Sequence, residues 1–126
     1  MSIQDWEGVA LIVGGGGIGM SISDYLTTVA PKMDVRLCGR NLTNQNGINL
    51  DLENDDSFVS FENEISLLKK PIRLVINTSG FLHSGEYKPE KRLSHINRSN
   101  MIKNFSINAF APILIAKSIE NFINPE

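Results

Sequence analysis

Val9-Ala10-Leu11-Ile12-Val13-Gly14-Gly15-Gly16-Gly17-Ile18-Gly19 is an apolar run that breaks into four consecutive glycines and resumes as Met20-Ser21-Ile22. Residues 9–13 have the length and β-branched content of a buried strand, and buried parallel strands read as continuous apolar runs rather than alternating ones. Glycines directly after such a strand let the backbone turn tightly and come close to a ligand. Behind them Ile18, Ile22, Tyr25, Leu26 and Val29 fall at helical spacing up to Pro31, so the stretch reads as strand, loop and helix. A helix that begins there points its free N–H groups and the positive end of its dipole at an anion. Gly14, Gly16 and Gly19 fit Gly-x-Gly-x-x-Gly, the pattern of a pyrophosphate-binding turn. The alternative is a glycine-rich corner that only packs helix against strand.

Outward from this stretch, residues 33–38 read as a second strand that ends at Gly39-Arg40-Asn41. Strand, helix and strand make one right-handed unit of a parallel sheet. Residues 41–47 are polar and turn-rich, and Ile48-Asn49-Leu50-Asp51-Leu52 alternates as a short third strand. Residues 54–60 are acidic and read as a loop. Residues 61–70 fit a short helix with Phe61, Ile65 and Leu68 on one face, stopped by Pro71. A fourth strand, residues 72–76, ends at Asn77-Thr78-Ser79-Gly80. Residues 81–98 read as a long polar surface loop, and residues 99–122 as a helix kinked at Pro112. The expected fold is α/β, a three-layer Rossmann-type arrangement around a parallel sheet of order 3-2-1-4. Ligands of open parallel sheets sit beyond the carboxyl ends of the strands. Residues 14–19, residues 39–41, Asp51 and residues 77–80 should therefore line one crevice.

Composition narrows the function classes. The chain has 126 residues, 41% hydrophobic and 21% charged, with a formal net charge of −2. That is the make-up of one soluble globular unit rather than two domains. The 12 Lys and Arg are spread along the chain and outnumbered by 14 acidic residues, which argues against a nucleic-acid partner. No apolar stretch suits a signal peptide or a membrane span. Cys38 is the single cysteine and lies in a strand, so an inert buried thiol and a reducing, cytoplasmic setting are expected. His83 and His95 sit in the polar loop without clustered Cys or carboxylates, so no metal site is expected.

The order and spacing of these features resemble the short-chain dehydrogenases/reductases, specifically their N-terminal, nucleotide-binding half. That family's glycine loop reads Thr-Gly-x-x-x-Gly-Ile-Gly, and Gly17-Ile18-Gly19 is similar to its end. The family's first glycine falls on Val13, so the loop here is one residue shorter. Asn77-Thr78-Ser79-Gly80 resembles the family's Asn-Asn-Ala-Gly after the fourth strand. Asp51, with Leu52 beside it, resembles the adenine-contacting Asp after the third strand. Asn108 in Phe105-Ser106-Ile107-Asn108-Ala109 resembles the helix Asn of the catalytic tetrad. The resemblance implies a pyrophosphate held by Gly14, Gly16, Gly17, Ile18 and Gly19, and a nicotinamide-side ribose along Asn77, Ser79 and Gly80.

Cofactor preference follows from charge. NAD-binding sites place a carboxylate at the end of the second strand, whereas a 2′-phosphate needs a basic group there. This chain has Gly39 followed by Arg40, with Asn41 next to them, so NADP is expected rather than NAD. The family's Ser and Tyr-x-x-x-Lys lie after a fifth strand, and this sequence shows neither that strand nor that segment. Tyr87-Lys88-Pro89-Glu90-Lys91 has the Tyr-x-x-x-Lys spacing, but Pro89 is at odds with the helix that the spacing needs. It reads as coincidence. The expected function is the NADP(H)-binding portion of a reductase whose complete form transfers hydride between nicotinamide and a carbonyl or alcohol. The alternative is a stand-alone nucleotide-binding or oligomer-forming module; a nucleotide-sugar or flavin-type Rossmann protein fits residues 77–80 and Asn108 less well. A domain read as ending before its fifth strand leaves its fourth strand and last helix uncovered, so self-association through either is expected.

Overall fold

The computed structural model describes residues 2–43, 46–82 and 88–123. Its centre is β1 (Gly8–Val13), whose Val9, Ala10, Leu11 and Ile12 are wholly buried. A strand apolar on both faces needs cover on both, and the following elements supply it. Helix α1 (Gly17–Val29) returns the chain to β2 (Met33–Gly39), which pairs parallel to β1 from Gly8↔Met33 to Val13↔Cys38. Beyond β2, β3 (Ile48–Asn49) adds two parallel rungs. After α2 (Asp55–Leu68), β4 (Ile72–Asn77) pairs parallel on the other side of β1, as far as Val13↔Asn77. The order is β3-β2-β1-β4, as the sequence implies. Downstream lie α3 (Arg98–Phe105), a π-helical segment (Ser106–Phe110) and α4 (Ala111–Ile119).

Alternation along β1 sends its side chains into two cores. Ala10 and Ile12 pack with Leu26 and Ala30 at the α1 layer. Val9, Leu11 and Val13 pack with Phe58, Phe61 and Ile65 of α2 and Ile115 and Ile119 of α4. The result is three layers, helix, sheet and helix. On β2 the carboxylate of Asp34 accepts from Arg36 at 2.6 and 3.0 Å and from Lys70 at 3.4 Å. The Arg36 hydrogen bonds hold the Asp34 carboxyl below the usual carboxylate range. Cys38 is fully buried, and burial, with Glu64 nearby, pushes its thiol up to about 12. It is an unreactive core residue.

Three expectations need correction. The acidic residues 54–60 are not a loop, because α2 begins at Asp55 rather than at residue 61. Asn54 caps it, its side chain accepting from the N–H groups of Asp56 and Ser57 at 2.9 and 3.4 Å. Asp55 and Asp56 then face the positive end of the helix dipole. β3 covers only residues 48–49, not 48–52. Leu50 N–H still reaches Gly39 O at 2.9 Å, but Asp51 N–H turns away to Ser57 Oγ at 2.7 Å. Nor is the helix over 99–122 continuous. Pro112 has no N–H to give to Asn108, and its ring would meet that carbonyl. The chain widens into the π-helical segment instead, with Ala111 N–H donating to Ser106 O. The kink expected at Pro112 takes this form.

Past α4 a 3₁₀ turn (Glu120–Phe122) leads to Ile123, which makes a parallel bridge to Ile72 at the start of β4. In the expected loop 81–98, Leu93–His95 forms one 3₁₀ turn. His83 and Tyr87 lie outside the described residues. No helix among the described residues is long and apolar enough to cross a membrane.

Candidate functional site

The site is built around the end of β1. Gly14 takes φ +117°, a left-handed conformation that disfavours any side chain, and its N–H donates to Cys38 O at 2.8 Å. A Cβ on Gly14 would overlap Thr78 Oγ1, and a Cβ on Gly19 would overlap the Gly14 carbonyl oxygen. Thr78 closes this knot. Its N–H and its hydroxyl both donate to Val13 O, at 2.7 and 3.0 Å. The first turn of α1 is thereby drawn against the strand end. That turn has Gly16 at its N-cap, with no side chain capping it and no acidic residue, so its N–H donors remain for an anion.

Beyond the strand ends lies a cleft of about 450 Å³. Of the residues expected at the site, Gly14, Gly16, Arg40, Asp51, Leu52, Ser79 and Gly80 line it. Gly17 and Gly19 stand beside it in the first turn of α1, Gly19 buried and Gly17 exposed. Ile18 lies in the same turn and is 71% exposed. Asn41 occupies a left-handed turn (φ 51°) after β2, next to the cleft rather than in its wall. Asn77 turns back on its own chain, its Oδ1 accepting from the N–H of Ser79 at 3.0 Å and from the Ser79 hydroxyl.

Asn108 sits in the π-helical segment and ties it to the segment after β4. Its Oδ1 accepts from Phe81 N–H at 2.7 Å, and its Nδ2 donates to Phe81 O at 2.6 Å. Lys103, from the same helical stretch, places its ammonium 5.0 Å from the centroid of the Phe81 ring. It also donates to Glu53 at 2.7 Å, and both residues line the cleft.

Phe81, Glu53, Lys103 and Ile107 are cleft residues that the sequence does not single out, and Thr78, within the expected stretch 77–80, takes a role there that the sequence does not show. For Lys103 and Ile107 a signal exists, since residues i and i+4 share a helix face. For Glu53, and for the bonds of Thr78 to Val13, none does, because the partners are 50 and 65 residues away. Among the described residues no group of three or more His, Cys, Asp or Glu gathers to hold a metal ion.

A scan against protein-family models finds no match, and a search of curated proteins likewise finds none. Solved structures do match. A dehydrogenase/reductase from Sinorhizobium meliloti 1021 superposes with a TM-score of 0.77 at 18% identity, over 98% of this chain and 52% of that one. The NADPH-bound carbonyl reductase from chicken fatty liver gives a TM-score of 0.75 at 16% identity, over 92% and 48%. The fold is that of the short-chain dehydrogenases/reductases. This chain spans about half the length of the solved structures it matches. A ribose-5-phosphate isomerase from Brucella melitensis 16M matches as well, with a TM-score of 0.76 at 17% identity over 91% and 46%. A shared fold therefore does not fix the reaction.

Proposed function

We propose that this chain is the NADP(H)-binding portion of a short-chain oxidoreductase, and that residues 1–126 form one dinucleotide-binding unit. The observation that carries the reading is the knot of Gly14, Gly19 and Thr78. It leaves room for backbone only, and presents an uncapped helix N-terminus to a cleft at the strand ends. Gly14, Gly16, Gly17, Ile18 and Gly19 would hold the pyrophosphate. Asp51 and Leu52 would meet the adenine, and Asn77, Ser79 and Gly80 the nicotinamide-side ribose. Arg40 lines the cleft just past β2, where a guanidinium, with Asn41 beside it, would pair with a 2′-phosphate.

A bound nicotinamide dinucleotide supplies hydride to a carbonyl or takes it from an alcohol. Asn108 is the catalytic-tetrad position of the resemblance. Its exchange of two hydrogen bonds with the Phe81 backbone makes its contribution one of holding the segment after β4 in place. The buried thiol of Cys38 suits a reducing, cytoplasmic setting. Binding is tested by calorimetric titration of the pure chain with NADPH and NADH. Replacing Arg40 with Ala is expected to weaken NADPH about tenfold or more, the scale of a lost charge-assisted hydrogen bond, and NADH by less than about twofold. Equal losses would remove the 2′-phosphate assignment, and no binding of either cofactor by the unaltered chain would remove the whole reading.

A further inference from the structure

Four charged residues line the cleft among the described residues: Arg40, Asp51, Glu53 and Lys103. Their charges cancel only as long as Lys103 is counted. The Asp51 carboxylate already accepts from the Glu53 N–H at 3.0 Å, which folds the turn after β3 so that Glu53 reaches the same wall as Asp51. Two carboxylates then lie in a space where Arg40 supplies the opposing charge. Glu53 and Lys103 form a short ion pair, 2.7 Å, with side chains only 32% and 18% exposed. The Phe81 ring under the ammonium shields it further. All four line the wall of one partly enclosed cleft, where screening by salt and water is weaker than between charges on an open surface.

We infer that Lys103 is a specificity-determining residue for the 2′-phosphate end of the cleft, acting through Glu53. By neutralising Glu53 it removes a carboxylate field that would oppose a phosphate dianion beside Arg40. The inference rests on the nucleotide-binding reading above and deepens it. It also separates Lys103 from a residue that merely braces the wall, since a brace has no preference for the sign of charge. Glu53→Gln leaves the ammonium in excess, whereas Lys103→Met leaves the carboxylate in excess. The two variants should therefore move phosphate preference in opposite directions.

The test is calorimetric titration of the 126-residue chain with adenosine 2′,5′-bisphosphate and with adenosine 5′-monophosphate, reading the ratio of the two dissociation constants. Lys103→Met should lower the preference for the bisphosphate by about three- to tenfold, and Glu53→Gln should raise it by a similar factor, the scale of one unit charge acting across a partly screened cleft. Lys103→Arg, which keeps the charge, and the double variant Glu53→Gln/Lys103→Met should stay within about twofold of the unaltered ratio, closing a double-mutant cycle. Losses of the same sign in both single variants, or an unmoved ratio, would overturn the inference while leaving the nucleotide reading intact. If the unaltered chain binds neither ligand nor NADPH, the reading itself fails and the inference falls with it. Far-ultraviolet circular dichroism on each variant confirms that the ratio is read from folded protein; were Lys103→Met unfolded, the opposite shifts expected of Lys103→Glu and Glu53→Gln decide the matter.

Discussion

Gly19 is the residue on which the approach of helix to strand depends, because the space for its Cβ is already held by the Gly14 carbonyl oxygen, a backbone atom that cannot swing aside. Gly19→Ala should therefore cost stability as well as binding. The strand end or the helix must move, a form of overpacking that typically costs about 1–3 kcal/mol. Urea unfolding should show the lower midpoint, and NADPH titration should show weaker binding. Unchanged values for both would mean that the loop has slack. Gly16, by contrast, has open space around its Cβ position, so the three glycines of the fingerprint are not equivalent. The run of glycines is legible in the sequence, but which of them is indispensable is not. That depends on where Thr78 returns to β1, a contact made from 65 residues away.

At the scale of elements, β1 is legible as a continuous apolar run, α1 as a helical stripe, and β2 and β4 as short, largely apolar segments, each ending at, or followed within a few residues by, Gly or Pro. α2 misleads at its start. Its first turn is polar and acidic, which reads as a loop until the Asn54 side chain is seen over the first N–H groups. The helix then gains Phe58 for its buried face. Asn54→Ala should remove about 1 kcal/mol of stability, the usual worth of such a cap, with little change in nucleotide affinity. Thermal unfolding measures it, and a loss of less than a few tenths would show that Asp55 and Asp56 hold the helix start without the cap. The π-helical segment is half legible. Pro112 announces an interruption, but not that the extra residue falls around Asn108, where the segment's side-chain amide can grip Phe81.

At the scale of the whole molecule, the consequence of this architecture among the described residues is an open side. β4 is the last strand of the sheet, and its one outward bridge among the described residues is Ile72↔Ile123 at its beginning. Thr78 N–H bonds inward to β1. By the alternation of backbone groups along a strand, Ile76 and Leu74 face the same way, so the N–H of Val75 faces outward. An edge strand with unpaired backbone groups templates pairing with another chain, and we expect the pure protein to self-associate. Val75→Pro is the discriminating change. Proline is tolerated on an edge strand where its missing N–H faces outward, and its ring blocks the approach of a partner strand. Sedimentation velocity should find the unaltered chain above its monomer mass of 14.0 kDa and the variant at or near it. If both sediment alike above that mass, the edge is not the contact, and the exposed apolar residues of the last helical stretch, Phe105, Phe110 and Ile113, become the surface to alter.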